Sequence, residues 1–284
     1  LSVDDALQRI LDAFGPLPVE HRPLGEALSY VLAADVVAGS AVPAFPNSAM
    51  DGFAVRTADT SGATPGHPVP LRVIAEAAAG YPCAATVRPG TAVRIMTGAP
   101  IPAGADAVVR FEETDEVFGT TRHGIGAVVA IHRAASEGDN VRPVGEDVQA
   151  GATVLHAGTR IRPAEIGVLA ALNCTQVPVH RRPRVGILAT GDEIVDPGEP
   201  LASGQIRNSN APMLAAMVTR VGGEPVSLGI ARDCTSELRH ALAKAAGLDL
   251  LLTTGGVSVG DYDLVKQVLQ REGQIDVWSV RIKP

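Results

Sequence analysis

The sequence predicts a multidomain α/β protein that contains a doubly wound parallel sheet. Its 284 residues exceed the roughly 100–200 residues that are usual for one domain. From residue 184 onward, segments with strand character alternate with segments of helical period, which is typical of a parallel sheet with helices on both faces. The predicted strands lie at 184–189, 225–230, 249–254 and 276–282, and the predicted helices at about 211–221, 235–246 and 263–271.

The first 180 residues do not show this regular alternation of strand and helix patterns. Ser2 is a candidate N-cap for a helix whose apolar residues recur at helical spacing up to Phe14. Later, Pro163–Leu172 suits a helix and Gln176–His180 suits a strand. Between these regions, short Val, Ala and Ile segments are broken by proline and glycine, which predicts a mostly β insert.

We therefore predict three domains. They are a discontinuous α+β first domain at 1–38 and 150–180, the β insert at 39–149, and a doubly wound α/β domain at 181–284. Because the insert has few aromatic residues, we do not expect it to contain an obvious free-standing core.

Composition excludes several classes of protein. The formal net charge of −7 and the absence of a Lys/Arg-rich run argue against nucleic acid or an anionic membrane as a partner. The longest apolar runs are well short of the ~18 residues that indicate a spanning helix, and the first residues are acidic rather than basic. The three cysteines form no C-x-x-C motif, so neither a disulfide framework nor a thiolate metal site is predicted. We expect a cytoplasmic protein.

Two acidic, glycine-bearing loops follow predicted strands. Thr190–Glu193 follows the first strand of the parallel sheet, and Gly255–Asp263 follows the third. If the strand order is 2-1-3-4, ligands bind in the crevice between the first and third strands, outside their carboxyl ends. Both loops leave those two strands, so the sequence places a binding site here.

Five carboxylates lie in loops just past strands. They are Asp192, Glu193, Asp233, Asp261 and Asp263. Hard oxygen ligands of this kind suit Mg²⁺, which keeps several waters and bridges to phosphates. The alternatives are that Asp233 and Asp263 only cap helices, and that Asp192 only occupies a turn.

The sequence does not support three other kinds of catalytic or binding motif. Gly256–Gly260 matches G-x-S-x-G between a strand and a helix, but a nucleophile elbow needs a later histidine and none follows His240. The glycines form neither a Walker A motif nor a dinucleotide fingerprint. No histidine pair has zinc-ligand spacing, so a zinc site is not predicted.

Two motifs of the β insert complete the set. Asn47–Ala54 surrounds Asp51 with small and polar residues, and a simple turn is its alternative interpretation. Arg94–Val109 has the pattern of a strand, a tight loop and a second strand. Taken alone, neither motif identifies a function.

Taken in order along the chain, these segments resemble the MoeA family of molybdopterin molybdenumtransferases, which is similar to the C-terminal domain of gephyrin and its plant counterpart. The matching motifs are Asn47–Ala54, Met96–Pro102, Gly138–Arg142, Gly145–Asp147, Thr190–Glu193, Gly255–Asp263 and Ile282–Pro284. Their number and order over nearly the whole chain make the resemblance specific.

The resemblance implies an α/β domain like that of molybdopterin adenylyltransferase, which is also the expected upstream partner. It implies a homodimer in which the β insert (a lid) of one subunit covers the α/β crevice of the other, so that Asp51 and Thr97 act across the interface. Members of this family normally have a small C-terminal β domain after the position of Pro284, and we expect this domain to be missing here.

The implied reaction takes molybdopterin-AMP and molybdate as substrates, inserts molybdenum at the dithiolene and releases AMP with Mg²⁺. Carried onto matching positions, the catalytic residues are Asp51, Thr97, Glu193, Asp233, Asp263 and Lys283, of which Glu193, Asp233 and Asp263 are the metal ligands. The residues that the resemblance assigns to molybdopterin binding are Asp147, Gly255, Gly256, Ser258 and Gly260.

Two other functions compete with this one. CinA-like pyrophosphatases have a related α/β domain, and Gly191–Glu193 and Asn208–Asn210 resemble their motifs. However, their third-strand loop differs from Gly255–Gly260, and Asn47–Ala54 has no counterpart in them. A non-catalytic scaffold, as gephyrin also is, would not require the site carboxylates.

Overall fold

The computed structural model describes residues 1–117, 120–255 and 280–281. The helices are α1 (Val3–Asp12), α2 (Thr57–Thr60), α3 (Pro163–Ala171), α4 (Asn210–Val221) and α5 (Thr235–Lys244). The strands are β1 (Val19–Pro23), β2 (Val31–Leu32), β3 (Val36–Val37), β4 (Asn47–Ser48), β5 (Gly52–Val55), β6 (Val69–Ala77), β7 (Thr91–Ile95), β8 (Ala107–Arg110), β9 (Val128–Ile131), β10 (Val141–Arg142), β11 (Thr153–Leu155), β12 (Gln176–His180), β13 (Arg184–Thr190), β14 (Ile194–Val195), β15 (Ile206–Arg207), β16 (Glu224–Ala231) and β17 (Leu250–Thr254).

The predicted helix at 263–271 lies outside the described residues, and so does the predicted strand at 276–282 except for residues 280 and 281. Of the helices that are described, none combines the length and apolar character needed to cross a membrane.

The chain divides into two compact units. The first comprises Leu1–Ala34, Ala157–Gly167 and Cys174–Pro284, and the second comprises Asp35–His156 and Val168–Asn173. The first unit thus groups N-terminal segments with the α/β region. The three predicted domains, with their boundaries, remain a prediction.

Helix α1 begins where the sequence predicts. The Ser2 hydroxyl accepts a hydrogen bond from the Asp5 amide at 3.1 Å, which satisfies one of the unpaired donors of the first turn. Only Ala6 is buried, and the large apolar side chains of the helix and of the residues just after it are about half exposed. They are Val3, Leu7, Ile10, Leu11 and Phe14. Within the first unit, α1 therefore presents an uncovered apolar face.

The first unit contains a three-stranded antiparallel sheet in the order β1-β12-β2. Val177 and Val179 of β12 are fully buried, together with Leu32 of β2. After His180, three residues lead directly into β13. The predicted strand at 176–180 is confirmed.

The same unit contains the predicted parallel sheet, with the strand order β16-β13-β17. Val185 and Ile187 of β13 pack with Val218 of α4, whereas Leu188 packs with Leu238 of α5. Since α4 and α5 pack on residues of opposite pleat, the sheet is doubly wound. The predicted order 2-1-3 is confirmed for the three described strands.

Strand β16 departs from regular pairing. Ser227 pairs with Ile187 and Gly229 pairs with Leu188, so Leu228 is an extra residue, and Gly229 has a φ of +81°. The combination is a β-bulge with glycine in the left-handed region. Among the described strands, β16 lies at one edge of this sheet.

The second unit is built on a five-stranded sheet in the order β8-β5-β7-β6-β9. Phe53 and Val55 of β5 face one apolar cluster, while Ala54 between them faces another. Both faces of the sheet are therefore covered, chiefly by Val, Ala and Ile side chains. The expectation that the insert has no obvious core of its own is wrong, because aliphatic side chains fill both layers, with Phe53 buried in one of them.

Candidate functional site

Three loops leave the carboxyl edge of the parallel sheet. Thr190, at the end of β13, pairs with Ala231 at the end of β16, and Ala189 pairs with Thr254 at the end of β17. Loops 190–193, 231–234 and 254–255 therefore start side by side. The structure thus brings Glu193, Asp233 and Gly255 to one edge.

Gly255 lies directly against β13. A Cβ atom placed on Gly255 would lie 2.5 Å from the Thr190 carbonyl oxygen and 2.9 Å from its Oγ1, and the residue has a φ of +84°. The Thr190 hydroxyl also donates to the Thr254 carbonyl at 3.1 Å. Only glycine fits both the conformation and the space. The third-strand loop therefore starts in close contact with the first.

Gly191 makes room for the carboxylate of Glu193. A Cβ atom on Gly191 would lie 2.5–2.8 Å from the carboxylate atoms of Glu193, and the φ of Gly191 is +134°. The Glu193 carbonyl accepts the Ile206 amide at 2.8 Å, next to the short parallel pair β14 and β15. This pair separates the loop from α4, an intervening element that the sequence did not indicate.

Asp192 connects the first loop to the second. Its carbonyl accepts a hydrogen bond from Arg232 Nη1 at 2.9 Å, and its Oδ1 accepts the Asp233 amide at 3.3 Å. The N-cap of α5 is Cys234, whose Sγ accepts the Glu237 amide at 3.5 Å. The helix-cap interpretation of Asp233 is therefore wrong, which leaves its exposed carboxylate free of that structural task.

Within the described residues, the oxygen donors of this edge form no protein cage for a metal. In the parts of the chain that the structure describes, no group of three or more His, Cys, Asp or Glu side chains is placed to hold a metal. Of the three predicted ligands, Glu193 and Asp233 lie at the carboxyl edge. Mg²⁺ is commonly held by one or two carboxylates together with substrate phosphates and water, so this donor set suits it.

The remaining predicted residues of this site lie outside the described residues. They are Asp261, Asp263, Lys283, Gly256, Ser258 and Gly260.

A second polar cluster lies within the β-rich unit. Asp51 Oδ1 accepts hydrogen bonds from the Thr97 amide at 2.7 Å and from Thr97 Oγ1 at 2.8 Å. Both residues are exposed. The threonine thus fixes one oxygen of the Asp51 carboxylate, and in the described part of the chain the other oxygen has no such restraint.

Main-chain bonds join the three motifs of this unit. The Ser48 carbonyl accepts the Gly98 amide at 2.8 Å, and the Ser48 amide donates to the Ala99 carbonyl at 3.0 Å. The Ala49 amide donates to the Asn140 carbonyl at 2.9 Å. Motifs that are about 50 and 90 residues apart in sequence therefore form one surface.

Arg142 brings Asp147 to this cluster. Arg142 pairs with Asn47 across β10 and β4, and its side chain donates to Glu146 at 2.7 Å and to Asp147 at 2.9 Å. The hydrogen bond that Arg142 donates to Glu146 is the main cause of a raised pKa of the Arg142 guanidinium, with Asp147 contributing. Sequence reasoning missed Arg142 as the partner of Asp147, although both residues lie in one short motif.

Comparisons with known proteins agree over nearly the whole chain. Residues 1–173 match the family model described as "MoeA N-terminal region (domain I and II)", and residues 186–284 match "Probable molybdopterin binding domain". The chain is 47% identical to "Molybdopterin molybdenumtransferase 2" of Mycobacterium tuberculosis (strain ATCC 25618 / H37Rv) over 86% of this chain and 58% of that protein. It is 36% identical to the "Molybdopterin molybdenumtransferase" of Haemophilus influenzae over 100% of this chain and 68% of that protein. The chain thus spans less than two thirds of the mycobacterial relative.

A solved structure agrees as well. The molybdopterin biosynthesis moea protein from Pyrococcus horikosii superposes with a TM-score of 0.82 and 31% sequence identity, over 100% of this chain and 70% of that chain.

Proposed function

This chain belongs to the MoeA family, and on that premise we propose that it acts in molybdenum cofactor biosynthesis as a molybdopterin molybdenumtransferase. The proposed reaction inserts molybdenum from molybdate into adenylylated molybdopterin and releases AMP. The observation that carries the proposal is the meeting of Glu193, Asp233 and Gly255 at the carboxyl edge of a doubly wound sheet. Ligands of such sheets bind at this edge, beside the strand where the order reverses.

Glycine and carboxylate serve different purposes at this edge. The contact of Gly255 with Thr190 leaves no room for a side chain at the start of the third-strand loop, and main-chain amides of this loop are proposed to contact a phosphate. Glu193 and Asp233 are the described residues that would hold Mg²⁺. When bound, Mg²⁺ offsets phosphate charge and stabilises the leaving group. Asp263 is proposed as a further ligand, and Lys283 as a contact for molybdate.

In this proposal the polypeptide chiefly positions the reactants. Breaking the pyrophosphate bond of the adenylylated substrate with an oxyanion requires no covalent bond to a side chain, so orientation and charge supply most of the rate. Asp147, Gly256, Ser258 and Gly260 are proposed to contact the molybdopterin substrate. Asp51, held by Thr97, is proposed to act on it from a second subunit.

We propose that the protein acts as a homodimer. The uncovered face of α1 supports this, because Leu7, Ile10 and Leu11 are each 54–56% exposed on one short helix. Exposed apolar surface of this kind is typical of protein interfaces. Molybdopterin adenylyltransferase is proposed as the upstream partner, and the cytoplasm as the compartment.

The direct test measures AMP release from adenylylated molybdopterin by the purified protein. We expect release that requires both molybdate and Mg²⁺. Release without any need for molybdate favours the CinA-like pyrophosphatase alternative. Binding of the substrate with no release in any condition favours a non-catalytic scaffold and contradicts the transferase.

A further inference from the structure

Arg232 is the one lysine or arginine in the described parts of loops 190–193, 231–234 and 254–255. The same loops hold three carboxylates, those of Asp192, Glu193 and Asp233. An anionic ligand that approaches this edge therefore meets one positive guanidinium and three carboxylates, which repel it. Any cation at this position has a large influence on whether the ligand is held.

The position of Arg232 is fixed at both its main chain and its side chain. It directly follows the last residue of β16, and its amide donates to Glu237 Oε2 at 2.8 Å. Its Nη1 donates to the Asp192 carbonyl at 2.9 Å. The guanidinium is therefore held over the loop that carries Glu193.

The charge of Arg232 is not neutralised by this anchor. A carbonyl oxygen is neutral, and among residues 1–117 and 120–255 no carboxylate forms an ion pair with Arg232. By contrast, Arg94, Arg142 and Arg181 are each paired with carboxylates. Arg232 is exposed, so the other N–H groups of its guanidinium are accessible to a ligand.

We propose that Arg232 is a substrate-binding residue that contacts the pyrophosphate of the adenylylated substrate. This inference rests on the proposed function, and sequence motifs did not indicate the residue. A planar guanidinium binds two phosphate oxygens at once, which fixes orientation as well as supplying charge. Because the same side chain holds the main chain beside Glu193, phosphate binding and the position of Glu193 are coupled.

The alternative is that Arg232 only clamps the loop. If Arg232 contacts the pyrophosphate, its loss should weaken binding of a ligand with two phosphates more than binding of a ligand with one. If Arg232 only clamps the loop, its loss should weaken both equally. The probes are ADP, which carries an adenosine-linked pyrophosphate, and AMP, which lacks the second phosphate. Their dissociation constants are measured by calorimetry in the presence of Mg²⁺ for Arg232→Gln, Arg232→Lys and the unsubstituted protein.

We expect Arg232→Gln to weaken ADP binding about tenfold and AMP binding by clearly less, with an unchanged thermal midpoint. Arg232→Lys should recover part of the ADP affinity because it keeps the charge. The matched control is Arg220→Gln, which removes an exposed arginine from the last turn of α4 and should leave both affinities unchanged.

The outcomes separate this inference from the function on which it rests. If the unsubstituted protein binds neither nucleotide at millimolar concentration, the proposed function fails and the inference fails with it. If ADP binds and Arg232→Gln binds it equally well, only the role of Arg232 is overturned. Equal losses for AMP and ADP together with a lower thermal midpoint identify a loop clamp and also overturn it.

Discussion

Arg181 and Asp249 form a two-point ion pair, with Nη1 to Oδ2 and Nη2 to Oδ1 both at 2.6 Å. Asp249 Oδ2 also accepts the Arg184 amide at 2.8 Å. Arg181 follows β12 and Asp249 precedes β17, so this pair ties the antiparallel sheet of the first unit to its parallel sheet. The charge of one carboxylate therefore helps to hold the two sheets together.

The first prediction concerns pH. The hydrogen bond from the Arg181 side chain lowers the pKa of Asp249 from 3.8 to about 2. A carboxylate whose pKa is lower in the folded state stabilises the fold fully above its unfolded pKa, and this contribution is lost as the pH falls from about 4 to about 2. Asp249→Asn should lower the free energy of unfolding by about 1–3 kcal/mol at pH 7. Urea denaturation at pH 7 and pH 3 measures whether the difference from the unsubstituted protein shrinks in acid.

Glu199→Gln is the control for this effect, because Glu199 is an exposed carboxylate of the same unit. If both substitutions cost the same at pH 7, the ion pair with Arg181 is not the cause.

The second prediction concerns the contact between Gly255 and Thr190. Gly255→Ala introduces a Cβ atom into the space held by the Thr190 carbonyl, at a positive φ. We expect a loss of stability of about 1–3 kcal/mol and a larger loss of nucleotide binding, because the loop start must shift. Gly198→Ala is the matched control, since Gly198 has a φ of +98° with no atom near its Cβ position. Similar results for both variants would show that backbone strain, and not the close contact, is responsible.

The third prediction tests the hydrogen bond between Thr97 and Asp51. Thr97→Val removes the hydroxyl donor but keeps the amide donor, so the Asp51 carboxylate loses one of its two restraints. We expect AMP release to fall about tenfold, equivalent to ~1.4 kcal/mol, while Thr97→Ser stays near full activity. Because both side chains are exposed, we expect the variants to keep the thermal midpoint of the unsubstituted protein. Turnover is therefore compared only among variants whose thermal midpoints are equal. A fully active Thr97→Val would exclude this hydroxyl from the site.

The fourth prediction addresses the metal. Glu193→Gln preserves size but removes the negative charge, so the Mg²⁺ concentration that gives half-maximal turnover should rise several-fold. A Mg²⁺ titration of AMP release measures the shift. Glu199→Gln is the control, because Glu199 is an exposed carboxylate in the segment between β14 and β15. An unchanged Mg²⁺ requirement in Glu193→Gln would remove Glu193 from the proposed ligands.

The fifth prediction concerns assembly. Leu7→Glu and Leu11→Glu place a charge on the uncovered face of α1 and should convert a dimer into a monomer of about half the mass. Gln8→Glu adds the same charge on the same helix and should not. Light scattering at micromolar concentration distinguishes the two states. A monomeric unsubstituted protein would contradict the homodimer.

Local signals in the sequence were sufficient for most elements of the first unit. Ser2 predicted the start of α1, and the predicted helix at about 211–221 agrees with α4, which ends at Gly222 with a φ of 97°. Alternation and order along the chain predicted that the loops at Thr190 and Gly255 leave neighbouring strands. These features depend on residues close together in sequence, or on a simple rule of topology.

Features that depend on contacts distant in sequence were missed. The anchoring of Arg232 on the Asp192 carbonyl joins residues 40 apart, and no spacing rule relates them. The two-sided core of the insert was missed because its small side chains, such as Ala54, signal burial only when the neighbouring strands are known. The three motifs around Asp51 are likewise brought together by strand pairing and hydrogen bonds between residues far apart in sequence.

The bulge at Leu228 has a consequence for solubility. A regular edge strand has unpaired amides and carbonyls that can form hydrogen bonds with a strand of another chain. Repeated pairing of this kind leads to aggregation. In β16, the extra residue interrupts this pattern near Gly229, and Pro225 lacks an amide hydrogen close to the start of the strand. Among the described strands, this irregularity therefore makes the edge formed by β16 a poor template for pairing with a strand of another chain.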